Sequence, residues 1–107
     1  MEENRLEMLK KMLESDPKDA FLRYALAKEY EKLNDDNQAI LLLEALKSDE
    51  PEYTGLYYHL GKLYEKVNQT DEALSIYNEG IRITKSLGDL HALSELNNAK
   101  TNLELGC

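Results

Sequence analysis

The chain has almost no cysteine: Cys107 is its single copy, and it stands at the last position. No intrachain disulfide can form, which excludes a scaffold stapled by disulfides and is compatible with a reducing compartment. The terminal thiol reads either as an incidental residue on a frayed end or as a reactive group that pairs between chains. Long apolar runs are missing too. The longest, Ala39 to Leu43, is far too short to span a bilayer. The first residues, Met1-Glu2-Glu3-Asn4, are acidic where a secretory leader is basic, so a cytoplasmic protein is expected.

Positive charge is also in short supply. Thirteen Lys and Arg stand against 21 Asp and Glu, for a net charge of −8. A nucleic-acid partner is not expected, because phosphate backbones are held by clustered Lys and Arg. An anionic membrane surface is not expected as a partner either, on the same ground. The acidic surplus reads as a solvated face that aids solubility, and it names no partner by itself.

The glycines at 55, 61, 80, 88 and 106 form no dinucleotide or phosphate loop and no nucleophile elbow. His59 and His91 form no His-x3-His pair, and no Cys-x2-Cys exists, so no metal or other cofactor is expected. The many carboxylates show no spacing that marks a general acid and base, and no enzyme is expected. Asn68-Gln69-Thr70 matches a glycosylation sequon but reads as a turn followed by a helix start.

What the chain does have is one pattern written twice, 34 residues apart. Laying Asp16-Pro17 over Glu50-Pro51 brings Leu22 onto Leu56, Tyr24 onto Tyr58, and Leu26-Ala27-Lys28 onto Leu60-Gly61-Lys62. Tyr30 then meets Tyr64, Asn34 meets Asn68, Ala39 meets Ala73, and Leu43 meets Tyr77. A fixed period of this length implies a repeat architecture, in which each unit buries its apolar face against neighbours. The apolar spacing within each copy is helical, and no strand pattern competes.

Six helices are expected. Residues 2–14 carry Leu6, Leu9, Met12 and Leu13 on one broad apolar face. Residues 18–33, 37–47, 52–67, 72–86 and 90–105 follow, separated by Asp/Asn, Pro or Gly stops. Asp16-Pro17 is expected to cap and open the second helix, with Pro suited to the first helical position. Thr70 or Asp71 is expected to cap the fifth. Gly88 suits a helix C-terminus and Asp89 the next N-cap. In the last helix, Ala92, Leu96, Ala99 and Leu103 form the inward stripe, with Glu95, Asn98, Lys100 and Asn102 opposite.

The second copy reads Tyr57-x2-Leu60-Gly61-x2-Tyr64, then Ala73-x3-Tyr77 and Gly80. It resembles the tetratricopeptide repeat. The first copy is looser, with Arg23 at the aromatic position, Ala27 for Gly and Leu46 at the place of Gly80. The resemblance implies an all-α fold of antiparallel helical hairpins stacked as a short right-handed solenoid. It implies a single domain over 1–107: an N-terminal half-repeat helix over 1–16, repeats over 17–50 and 51–87, and a capping helix over 88–107. Leu26, Ala27, Tyr30, Ala39, Leu60, Gly61, Tyr64, Ala73 and Tyr77 become repeat positions that build the fold. Small residues sit where helices cross closely, and overpacking there costs about 1–3 kcal/mol. Tyr30 and Tyr64 are expected in the core.

In the family, the first helix of each hairpin lines a concave groove where partners lie. The resemblance carries this role to Tyr24, Lys28 and Glu31 in the first copy and to Tyr58, His59, Lys62 and Glu65 in the second. Tyrosine gives a large amphipathic contact with little entropy to lose. The Lys, Asn and Arg set with which some members grip chaperone tails is not present: Tyr24, Lys28 and His59 stand in its places, with Asp89 and Leu93 further on if the phase continues. The implied function is a protein-interaction adaptor or scaffold holding a peptide or partner protein of unknown identity. The alternative is a self-assembling, homo-oligomeric solenoid with no separate peptide ligand.

Overall fold

A computed structural model describes residues 2–106, with side chains from Arg5 onward. Cys107, the candidate reactive thiol, lies outside the described residues. Six helices run in order: α1 (Glu2–Ser15), α2 (Ala20–Lys32), α3 (Asp36–Asp49), α4 (Gly55–Lys66), α5 (Thr70–Leu87) and α6 (Leu90–Glu104). No strand occurs among the described residues. The fold class is the expected all-α helical repeat.

Two turns carry the clearest imprint of the repeat. Asn34 and Asn68 both take left-handed backbone, with φ of 65° and 64°. Asn tolerates this region better than other residues with a side chain. In the first turn, the Asn34 N–H reaches the Glu31 carbonyl and the Asp35 N–H reaches Tyr30; in the second, Asn68 reaches Glu65 and Gln69 reaches Tyr64. These paired bonds satisfy the last carbonyls of α2 and α4.

Helix starts depart from expectation. Pro17 lies in a turn, and α2 begins three residues later, where the Asp19 carboxylate accepts the Leu22 N–H at 2.9 Å. Pro51 lies in a turn as well. Thr54 stands at the N-cap of α4 without capping it, because its hydroxyl donates to Asp89 Oδ2 at 2.7 Å. Helix α5 starts on Thr70 with Gln69 before it and no side-chain cap; Asp71 and Glu72 in its first turn complement the helix dipole instead. Gly88, at φ 73°, and Asp89, which accepts from the Ala92 N–H, sit as expected.

The chain divides between Glu50 and Pro51 into two compact units. In the first, α2 packs against α1 and α3. Leu9, Leu22, Ala25 and Leu26 form a buried cluster with Leu6, Leu13, Tyr30 and Leu42 packed on it. Met12, expected in this face, is exposed instead. In the second unit, α5 packs against α4 and α6, and α4 also touches α6. Tyr57, Tyr77, Leu56, Leu60, Leu63 and Leu96 are fully buried there.

The repeat positions Leu26, Ala27, Ala39, Leu60, Gly61, Ala73 and Tyr77 are all buried. Tyr30 and Tyr64 are only half-buried. The fully buried aromatic of α4 is Tyr57. Gly61 and Gly80 show why small residues are needed: a Cβ on Gly61 would run into the Tyr77 ring, and one on Gly80 would lie 2.6 Å from Tyr57 Cβ.

Candidate functional site

Helix α2 sets Tyr24 and Lys28 one turn apart, and helix α4 does the same with Tyr58 and Lys62. A spacing of four residues puts each pair on one helix face. The lysine ammonium lies over its tyrosine ring in both units, 5.4 Å from the Tyr24 centroid and 5.9 Å from the Tyr58 centroid. This is cation–π geometry, worth about 0.5–1 kcal/mol at exposed sites. Both tyrosines are half-buried and both lysines exposed. Each pair therefore presents an apolar ring edge beside a charge.

The neighbouring candidates divide. His59 meets Tyr58 edge to face, with centroids 5.8 Å apart and planes at 87°. Glu31 is half-buried on α2. Glu65 serves the fold as well as the face: it accepts the hydroxyl of the buried Tyr77 and lies 3.8 Å from Lys62 Nζ. Burial and this bond to a carboxylate both raise the pKa of Tyr77.

The surroundings differ between units. Tyr58 and Lys62 border a cleft of about 170 Å³ whose other wall is Glu95, Asn98, Ala99 and Asn102 of α6. The amide-bearing side of α6 thus borders the candidate site of its own unit. Tyr24 and Lys28 border a larger cleft, about 340 Å³, with Arg5, Phe21, Ala25, Glu29 and Lys32.

Glu29 is the residue that reading the sequence missed. It is only 2% exposed, and its Oε1 lies 3.1 Å from Arg5 Nε and 4.0 Å from Lys32 Nζ. Its Oε2 is buried without a hydrogen-bond partner. The signal was present in the repeat register, where Glu29 falls on Leu63, a fully buried leucine. A carboxylate at a core position of one copy marks a local exception to the fold's own rule.

Among the described residues, no group of three His, Cys, Asp or Glu side chains is placed to hold a metal ion. No described helix is long and apolar enough to cross a membrane.

Helical hairpins repeating at a period of 34, with small residues at the crossings, define a helical-repeat protein. Comparisons agree. A family model described as tetratricopeptide repeat matches residues 54–89. The crystal structure of a tetratricopeptide repeat domain protein from Salinibacter ruber is 45% identical, with 80% of this chain and 97% of that chain covered and a TM-score of 0.76. A solution structure from Bordetella parapertussis is 25% identical, covering 94% of this chain and 88% of that one, with a TM-score of 0.83. PcrH, crystallised in complex with the chaperone binding region of PopD, shares the fold at 10% identity and a TM-score of 0.86 over 97% of this chain and 79% of its own. No curated protein matches the chain. The chain belongs to the tetratricopeptide repeat family, a protein-interaction fold.

Proposed function

We propose that this protein is an interaction adaptor that takes a peptide or partner protein on the tyrosine–lysine faces of α2 and α4, and that it acts by binding, without catalysis. In this reading the chain works as one domain whose repeats are residues 17–50 and 51–87. The observation that carries the reading is the stacked pair itself, kept at the same repeat position with nearly the same geometry in both units. Leu26 with Leu60 and Ala39 with Ala73, repeated for packing, are buried, whereas Lys28 and Lys62 are exposed. A half-buried tyrosine beside a cation suits a ligand with an apolar group next to an acid. The complex of PcrH with a segment of PopD supports the capacity of this fold to hold part of another protein.

The test is a cross-linking pull-down with the native chain and with a variant carrying Tyr24→Ala, Lys28→Glu, Tyr58→Ala and Lys62→Glu. Circular dichroism confirms that the variant folds. A partner captured by the native chain and lost by the variant supports the reading; equal capture by both contradicts it. The exposed Met8 and Met12, one turn apart on α1, favour a second reading, self-assembly through α1. A monomer mass by light scattering at high concentration removes that one.

A further inference from the structure

The cleft of the first unit does more than offer a stacked tyrosine. Three cations, Arg5, Lys28 and Lys32, line it in a chain whose net charge is −8. Phe21, 64% exposed, supplies an apolar wall. Glu29 lines the same cleft, with one oxygen engaged by Arg5 and the other buried and unpartnered. Leaving a buried acceptor unpaired is costly, and native structures rarely do so without a reason. The repeat does not need this carboxylate, since Leu63 fills the matching position in the second unit.

We propose that the α1–α2 cleft selects an acidic peptide segment, internal to its chain, by turning the Glu29 carboxylate so that Oε2, buried and unpartnered in the free protein, accepts one of the segment's backbone N–H groups. The flanking Asp or Glu of that segment lies against Lys28 and Lys32, and an aliphatic or aromatic side chain lies on Phe21. Charge complementarity fixes the sign of the ligand, because three cations outnumber the one carboxylate. The unpartnered oxygen fixes its chemistry further, because only a donor satisfies it. A free acid with no N–H meets half of the site. This inference rests on the interaction reading above and specifies what the first unit takes.

The test uses random octapeptides, N-acetylated and C-amidated, displayed on beads and selected with the full chain. Capping the ends removes terminal charges as a source of binding. Selected peptides are expected to pair Asp or Glu with a large apolar residue. The strongest is then measured by fluorescence polarisation against three proteins: the native chain, Glu29→Gln, and the double variant Tyr24→Ala with Tyr58→Ala. In Glu29→Gln the amide oxygen serves Arg5 and an NH2 group faces the ligand donor, so binding weakens by about fivefold or more. N-methylating the peptide bond that donates weakens binding to the native chain and has little further effect on Glu29→Gln.

Selection without acid preference overturns the proposal, and so does equal affinity for Glu29→Gln. If the tyrosine variant loses binding while Glu29→Gln keeps it, the cleft proposal alone falls. If the tyrosine variant binds normally, the wider interaction reading falls. An empty selection overturns both.

Discussion

The two units share a pattern and close it differently. In the second, Gly61 admits the Tyr77 ring and Gly80 admits Tyr57 and Leu96, so large aromatics fill the interior. Tyr57 donates its hydroxyl to the Pro51 carbonyl, and Tyr77 donates to Glu65. In the first, Ala27, Leu43 and Leu46 occupy the matching positions, Arg23 replaces Tyr57, and Glu29 replaces Leu63. Arg23 pairs with Asp49 at 2.9 Å. The second unit has invested its variation in packing; the first has kept charge inside. One repeat register therefore supports a closed core in one unit and a charged cleft in the other.

The second unit depends most heavily on Tyr77. Its replacement by Ala removes a fully buried ring and is expected to destabilise the protein by about 3–5 kcal/mol, read from urea unfolding. A cost near zero would mean that the aromatic filling is incidental. Next comes Gly61→Ala, which places a methyl against that ring and is expected to cost about 1–3 kcal/mol. Adding Tyr77→Leu recreates the Ala27 and Leu43 combination of the first unit. A double-mutant cycle should then show Ala better tolerated beside Leu than beside Tyr; simple additivity would contradict the contact.

A smaller effect of opposite sign is expected at Glu29→Leu. It imports the residue of the second unit and removes a buried carboxylate, while Arg5, 54% exposed, remains solvated. Stability should rise by about 1 kcal/mol, because apolar replacements of buried ion pairs are often neutral or stabilising. A marked loss would show that the Arg5 pair holds the first unit together.

The smallest effects concern pH. Burial pushes the Tyr57 hydroxyl up from 10.0 to about 12, with the Glu79 carboxylate adding to the shift. A raised folded-state pKa stabilises below the unfolded value, so this contribution is present below pH 10 and is lost between pH 10 and about 12. Tyr57→Phe should flatten that alkaline limb in a thermal-melt series. Asp89 shifts the other way: the Thr54 hydroxyl, then the Ala92 N–H, hold its carboxyl below the usual range of 3.8. Its contribution is present above that value and disappears as pH falls through the lower folded-state pKa. Thr54→Val should blunt this acid limb.

Much of the fold was legible because the repeat states it twice. Leu26 with Leu60, Ala39 with Ala73 and Asn34 with Asn68 each confirm the other, and a recurrent helical spacing leaves little room for another fold. Helix starts were less legible. Pro17 reads as a first helical residue, yet α2 starts at Ala20, where the Asp19 carboxylate accepts the Leu22 N–H. Tyr30 and Tyr64 looked like core by spacing, but on both α2 and α4 that position lies at the rim. The candidate site was legible only where it repeats. Tyr24, Lys28, Tyr58 and Lys62 stood out through recurrence. Glu29 and Arg5 did not, because their pairing joins α1 to α2 and has no counterpart in the second copy.

Amide chemical-shift mapping by NMR, on titration with a selected acidic peptide, locates the binding face residue by residue. Perturbed amides are expected to cluster around Arg5 on α1 and along α2 around Tyr24, Lys28 and Glu29, with α3 and α5 nearly silent. Perturbations confined to α3 and α5, or to the exposed face of α1, would contradict this placement.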